Sequence, residues 1–123
     1  MIEQILTWLR GMGLSGVKAE YLGPKEGDMG LFCRGSEVLW KRQDILGDTL
    51  CRQRVVFLVD IRSRETEALD LGLLLAPYLQ QTAPVFGEDQ KILLEKGRTV
   101  KDNGSGIPIR EFQLTVEYTA REE

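Results

Sequence analysis

Residues 53–62, Gln53-Arg54-Val55-Val56-Phe57-Leu58-Val59-Asp60-Ile61-Arg62, are the stretch on which the fold turns. Val55, Phe57, Val59 and Ile61 alternate with Arg54, Val56, Leu58, Asp60 and Arg62, the two-residue period that sends successive side chains to opposite faces of a strand. The middle of the run is apolar on both faces, which predicts a central strand covered on both sides for part of its length. A sheet has to be assembled around it from its neighbours in sequence.

Upstream, Asp44-Ile45-Leu46-Gly47-Asp48 reads as a turn-rich connection. Residues 30–42 read as a hairpin, with runs Leu31 to Arg34 and Glu37 to Arg42 joined at Gly35-Ser36, where glycine in first position suits a type II′ turn. Gly23 to Gly30 reads as an exposed loop. Before it, Val17, Ala19 and Tyr21 alternate with Lys18, Glu20 and Leu22 as a strand. Ile2, Ile5, Leu6, Leu9 and Met12 recur at spacings of three and four, which predicts a helix over 2–12 with Trp8 flanking its buried stripe. Gly11-Met12-Gly13 should stop it.

Downstream, Ser63 to Gln81 reads as a second helix. Ser63 or Thr66 would cap it, Glu65, Glu67 and Asp70 suit its positive end, and Pro77 should kink or end it. Lys91 to Val100 is a strand interrupted at Gly97, and Asp102 to Gly106 is a hairpin tip. Phe112, Leu114, Val116 and Tyr118 then alternate with Glu111, Gln113, Thr115 and Glu117 as a strand with one apolar face. The predicted fold is α+β: an antiparallel β-sheet backed by two α-helices, in the order α-β-(β-hairpin)-β-α-β-β. The 123 residues suit a single domain, 1–123, with a projecting region at about 23–54.

The composition narrows the chemistry. There is no histidine, which removes the commonest general base, neutral metal ligand and triad partner together. Cys33 and Cys51 lie 18 residues apart with no third cysteine to complete a zinc site, so no metal role is expected. Gly11-Met12-Gly13-Leu14-Ser15-Gly16 matches GxGxxG, but a helix precedes it and a strand follows, the reverse of a dinucleotide site, so no cofactor is expected. Glu88-Asp89 adjoins a loop and reads as solvating charge. No catalytic residue is therefore assigned. Net charge is −3, divided as +1 over residues 1–62 and −4 over 63–123, which does not favour broad nucleic-acid binding. The opening segment lacks a signal-peptide pattern, and the longest apolar run, Leu71 to Pro77, is too short to span a bilayer. An intracellular setting with free thiols is the expectation.

One surface group stands out: Arg34, Trp40, Lys41, Arg42, Arg52 and Arg54. Tryptophan and arginine are enriched where proteins bind one another, which makes these six the candidates for subunit or partner contact. The alternative is an ordinary strand edge on which Lys and Arg block unwanted pairing.

The leading helix, the hairpin arm, Asp44-Ile45-Leu46-Gly47-Asp48 running into RQRVVFLVDIRSR, the helix from Thr66 and the terminal GIPIREFQLTVEYTARE resemble small tail-terminator (tail-completion) proteins and related minor structural proteins of long-tailed bacteriophages and prophages. The resemblance spans nearly the whole chain and rests on patterns of strand and turn. It implies a non-enzymatic protein that forms a hexameric ring, caps the major tail tube protein and later meets the head-completion or connector protein, with DNA passing through the hole. The implied location is the virion tail or neck, after assembly in the host cytoplasm. A head-tail joining or neck protein, and a small ligand- or peptide-binding domain, are the alternatives.

Overall fold

The computed structural model describes residues 1–11, 14, 16–64, 83–100, 104 and 106–122. Helix α1 (Ile2–Gly11) is followed by strands β1 (Val17–Ala19), β2 (Met29–Gln43), β3 (Thr49–Arg62), β4 (Glu88–Val100) and β5 (Ile109–Glu122). The strands form one sheet in the order β1-β2-β3-β5-β4, so residues 53–62 lie at its centre. β3 and β5 pair antiparallel without a break from Thr49↔Glu122 to Arg62↔Ile109.

Alternation along this central pair makes the core. Val55, Phe57, Val59 and Ile61 of β3, with Phe112, Leu114, Val116 and Tyr118 of β5, turn to one face and are buried with Leu31. The stripe of α1 joins the same cluster through Ile5, Leu6 and Leu9, and Trp8 is buried with it rather than flanking it. The helix end is tied to β1 by Arg10, whose Nε and Nη2 donate to the Val17 carbonyl at 3.1 and 2.9 Å. Arg62 closes the far end of the sheet. Its backbone N–H donates to Asp28 O, its carbonyl accepts from Gly27 N, and its buried guanidinium donates to Gly23 O and Ile107 O.

The expected architecture needs three corrections. The sheet is mixed, not antiparallel, because β1 runs parallel to β2 in the register Val17↔Met29 to Ala19↔Leu31. Glu20, at φ 55°, ends β1 early, and the loop that follows returns the chain beside it. That return brings the Tyr21 carbonyl so close to Gly30 that a Cβ there would lie 2.6 Å from it, hence the glycine.

Second, 30–42 is not a hairpin. β2 runs straight through Gly35-Ser36, which pair with Val56 and Val55, and the chain yields there only by β-bulges between Cys33 and Gly35 and between Val38 and Trp40. The reversal comes at residues 44–48, where the Asp44 carboxylate accepts from the N–H groups of Leu46 (2.9 Å) and Asp48 (3.0 Å). A side chain that satisfies the turn's own amides outcompetes a glycine whose neighbours can pair across the sheet.

Third, the sheet is not backed by two helices: α1 is the one helix among the described residues, and long strands dominate. Of the expected helix from Ser63 to Gln81, residues 63 and 64 are not helical and the remainder lies outside the described residues. Much of the expected tip from Asp102 to Gly106 lies outside them as well. Among the described residues no helix is long and apolar enough to cross a membrane.

Candidate functional site

The face of the sheet opposite the core carries the remaining half of each alternation. From β3 it receives Arg52, Arg54, Val56, Leu58 and Asp60, and from β5 Glu111, Gln113, Thr115, Glu117 and Thr119. Val56 and Leu58 are only half-buried, so the expected cover on both sides of β3 is incomplete. A groove of about 630 Å³ runs across this face, lined by Arg34 and Glu37 of β2, Arg54 of β3, Lys91 and Leu93 of β4 and Glu117 of β5, among others.

The charges here answer one another across the strands. Arg54 donates to Glu37 at 3.0 Å and its other amino group lies 3.9 Å from Glu117. Glu117 also accepts from Arg52 Nε at 3.2 Å. Exposed pairs such as Glu37–Arg54 contribute little, about 0–1 kcal/mol, but Arg52 is different. It is 7% exposed, and its Nη1 donates to Asp89 O at 2.8 Å and Thr119 Oγ1 at 3.0 Å. Arg52 therefore joins β3, β5 and the start of β4.

Of the six residues singled out from the sequence, five come together on this face. Arg34, at a bulge, reaches Gln113 (3.2 Å); Trp40 stands opposite Arg52; Arg42 stacks on the Trp40 ring at 4.2 Å; Arg54 sits in the ladder. Lys41 is paired with the core-side Cys51 and falls on the other face. Cys51 is buried and Cys33 exposed, both as free thiols.

At the end of the β2–β3 hairpin is a feature that the sequence reading passed over. Ile45 is 104% and Leu46 84% exposed. The turn that carries them is not loose. Besides the bonds from Asp44, Arg121 Nη1 reaches Asp44 Oδ2 at 3.1 Å and Asp48 Oδ2 at 3.4 Å, and its Nε reaches Glu88 Oε1 at 3.4 Å. Two aliphatic residues between two aspartates were the available signal, because turns ordinarily take polar residues at those positions.

No protein-family model matches the chain, and no curated protein does. Among the described residues no group of three His, Cys, Asp or Glu side chains is placed to hold a metal ion.

Among the described residues the one strongly perturbed carboxyl is Asp60, directly opposite Glu111 on β5. Its pKa is raised from 3.8 to about 6, chiefly by burial and then by the charge of the adjacent Glu111 and a hydrogen bond with it, while Arg98 opposes. Its Oδ1 is buried with no hydrogen-bond partner among the described residues. The folded state thus favours the protonated form: the stabilising contribution is complete below 3.8 and is lost as pH rises through about 6. Asp60→Asn, which keeps the neutral shape, should stabilise the protein above that range by about 1 kcal/mol, a figure limited by solvent screening of a half-buried group. Urea titrations at about pH 4 and about pH 8 should show the gain only at the higher value.

Proposed function

We propose that this chain is a non-enzymatic structural protein of a long-tailed bacteriophage or prophage, a tail terminator that closes as a ring on the tail tube and helps to form the head–tail interface. Its partners on this reading are copies of itself, expected as six, the major tail tube protein and the head-completion or connector protein. DNA passes through the ring without sequence-specific contact. The protein works in the virion tail or neck after assembly in the host cytoplasm.

The observation that carries this reading is the division of labour on the surface. Charged groups of the open face are largely paired among themselves, as in Glu37–Arg54–Glu117–Arg52, while Ile45 and Leu46 are held out in water by a clamped turn. Exposed apolar side chains on a preorganised support suit contact with another protein, since little ordering entropy remains to be lost on binding. The near balance of charge suits a passage for DNA better than a grip on its phosphates.

Assembly without the protein is the test. In infected or induced cells lacking it, tails should overgrow their normal length and fail to join heads, as seen by electron microscopy, and adding the protein back should restore both. Tails of normal length that stay unjoined would point to a neck protein. Tails of normal length that join heads would overturn the reading.

A further inference from the structure

The protein presents two unlike features at opposite ends of β2. At one end is the turn with Ile45 and Leu46, beside which Asp44, Asp48 and Glu88 gather around Arg121. At the other, where β2 begins at Met29, is a cleft of about 270 Å³ whose walls include Lys18, Tyr21, Pro24, Lys25 and Met29. Tyr21 is 55% exposed, and Lys18 Nζ lies 5.7 Å from its ring centroid. Asp28, also on the wall, is held by the Lys25 N–H at 2.9 Å.

We infer that the Ile45-Leu46 tip of one copy seats in the Lys18–Tyr21–Lys25 cleft of the next. The inference rests on the ring reading and specifies its subunit contact. Three arguments support it. The tip is apolar with three carboxylates around one arginine, and the cleft offers an aromatic ring, a proline and a methionine with two lysines against Asp28, so apolar surface meets apolar surface and a net negative rim meets a net positive one. The two features are separated by the length of β2, roughly 45 Å at about 3.3 Å per residue, so no chain can fill its own cleft with its own tip. A contact between two different patches is head-to-tail, the kind that builds a closed ring.

The sheet edges favour this tip contact over strand-to-strand addition. The outer strand β4 and the part of β2 beyond β1 both carry edge backbone, and each strand has two register shifts, whereas the inner pair β3–β5 has none. Bulges placed on edges turn their hydrogen-bonding groups away from a flat partner.

The test is disulfide trapping in the full chain with the exposed thiol removed (Cys33→Ser). Chains carrying Leu46→Cys are mixed with chains carrying Tyr21→Cys under mild oxidation at high protein concentration. The expected result is a mixed dimer that neither variant forms alone, and a series of covalent oligomers when one chain carries both changes. Leu46→Asp, at an exposed position, should leave thermal unfolding unchanged and weaken self-association at least about tenfold in sedimentation. Disulfides between two Leu46→Cys chains would indicate a two-fold contact and overturn the inference. So would a chain that stays monomeric at every concentration, or self-association with no mixed dimer. If Leu46→Asp abolished binding to the tail tube protein and spared self-association, the tip would face the tube and the inference would fall. Tails that still require the protein while the mixed dimer is absent would leave the ring reading standing and remove this contact alone.

Discussion

Arg52→Ala is expected to destabilise the fold by about 3–5 kcal/mol, the range for removing one partner of a buried ion pair. The guanidinium is almost wholly buried and donates to Glu117, Thr119 and the Asp89 carbonyl, so its loss leaves acceptors from two other strands without their donor. Glu117, itself mostly covered, would keep only the longer approach of Arg54 at 3.9 Å. The measurement is the urea midpoint at neutral pH, compared with Arg54→Ala. The latter removes an exposed pair and should cost no more than about 1 kcal/mol. Equal losses in the two variants would show that water replaces Arg52 freely and that the three strands are not joined through it. The comparison also bears on the candidate contact residues, because Arg52 spends its donors inside the fold, whereas Arg34, Arg42 and Arg54 remain accessible.

Phe57→Ala should cost about 3–5 kcal/mol, since it removes a large buried ring and leaves a cavity that rigid neighbours fill only in part. Phe57 is 1% exposed and lies between Leu114 on β5 and Cys33 on β2, in the unbroken stretch of the β3–β5 ladder. Regular pairing on that side leaves little room for backbone collapse. Against a total stability of about 5–15 kcal/mol for a domain, such a loss is enough to populate the unfolded state. Denaturant unfolding followed by tryptophan fluorescence reads it through Trp8, which belongs to the same core. Phe57→Leu, which keeps most of the volume, should cost much less, about 1 kcal/mol. A small effect from Phe57→Ala would mean that the centre of the core lies elsewhere.

The two substitutions sit five residues apart on β3 and act on opposite faces, and that alternation was legible in the order of residues alone. The period of two at 53–62 specifies the strand and its Val55-Phe57-Val59-Ile61 face, and periodicity likewise specifies the apolar face of 112–118 and the helix that opens the chain. Residues 44–48 likewise specify their turn, but not the exposure of Ile45 and Leu46 on it. Site residues were half legible. Trp40 and the arginines were recognisable as a group, yet nothing in their spacing distinguished buried Arg52 from exposed Arg54, or put Lys41 on the other face.

Periodicity and turn chemistry depend on residues adjacent in the chain, so the sequence by itself determined where strands and the first helix arise and which side of each is apolar. Pairing depends on residues far apart. Gly35-Ser36 looks like a turn until Val55 and Val56 are placed opposite it, and then the ladder carries the chain through as one bulged strand. The short segment at 17–19 has no preferred direction of its own. It became a parallel edge because Arg62, far along the chain, holds the loop over residues 23–28 and because Gly30 admits the Tyr21 carbonyl. Tertiary structure decided which charges would be spent on one another and which apolar side chains would be left in water, since each outcome required a partner that no local window contains.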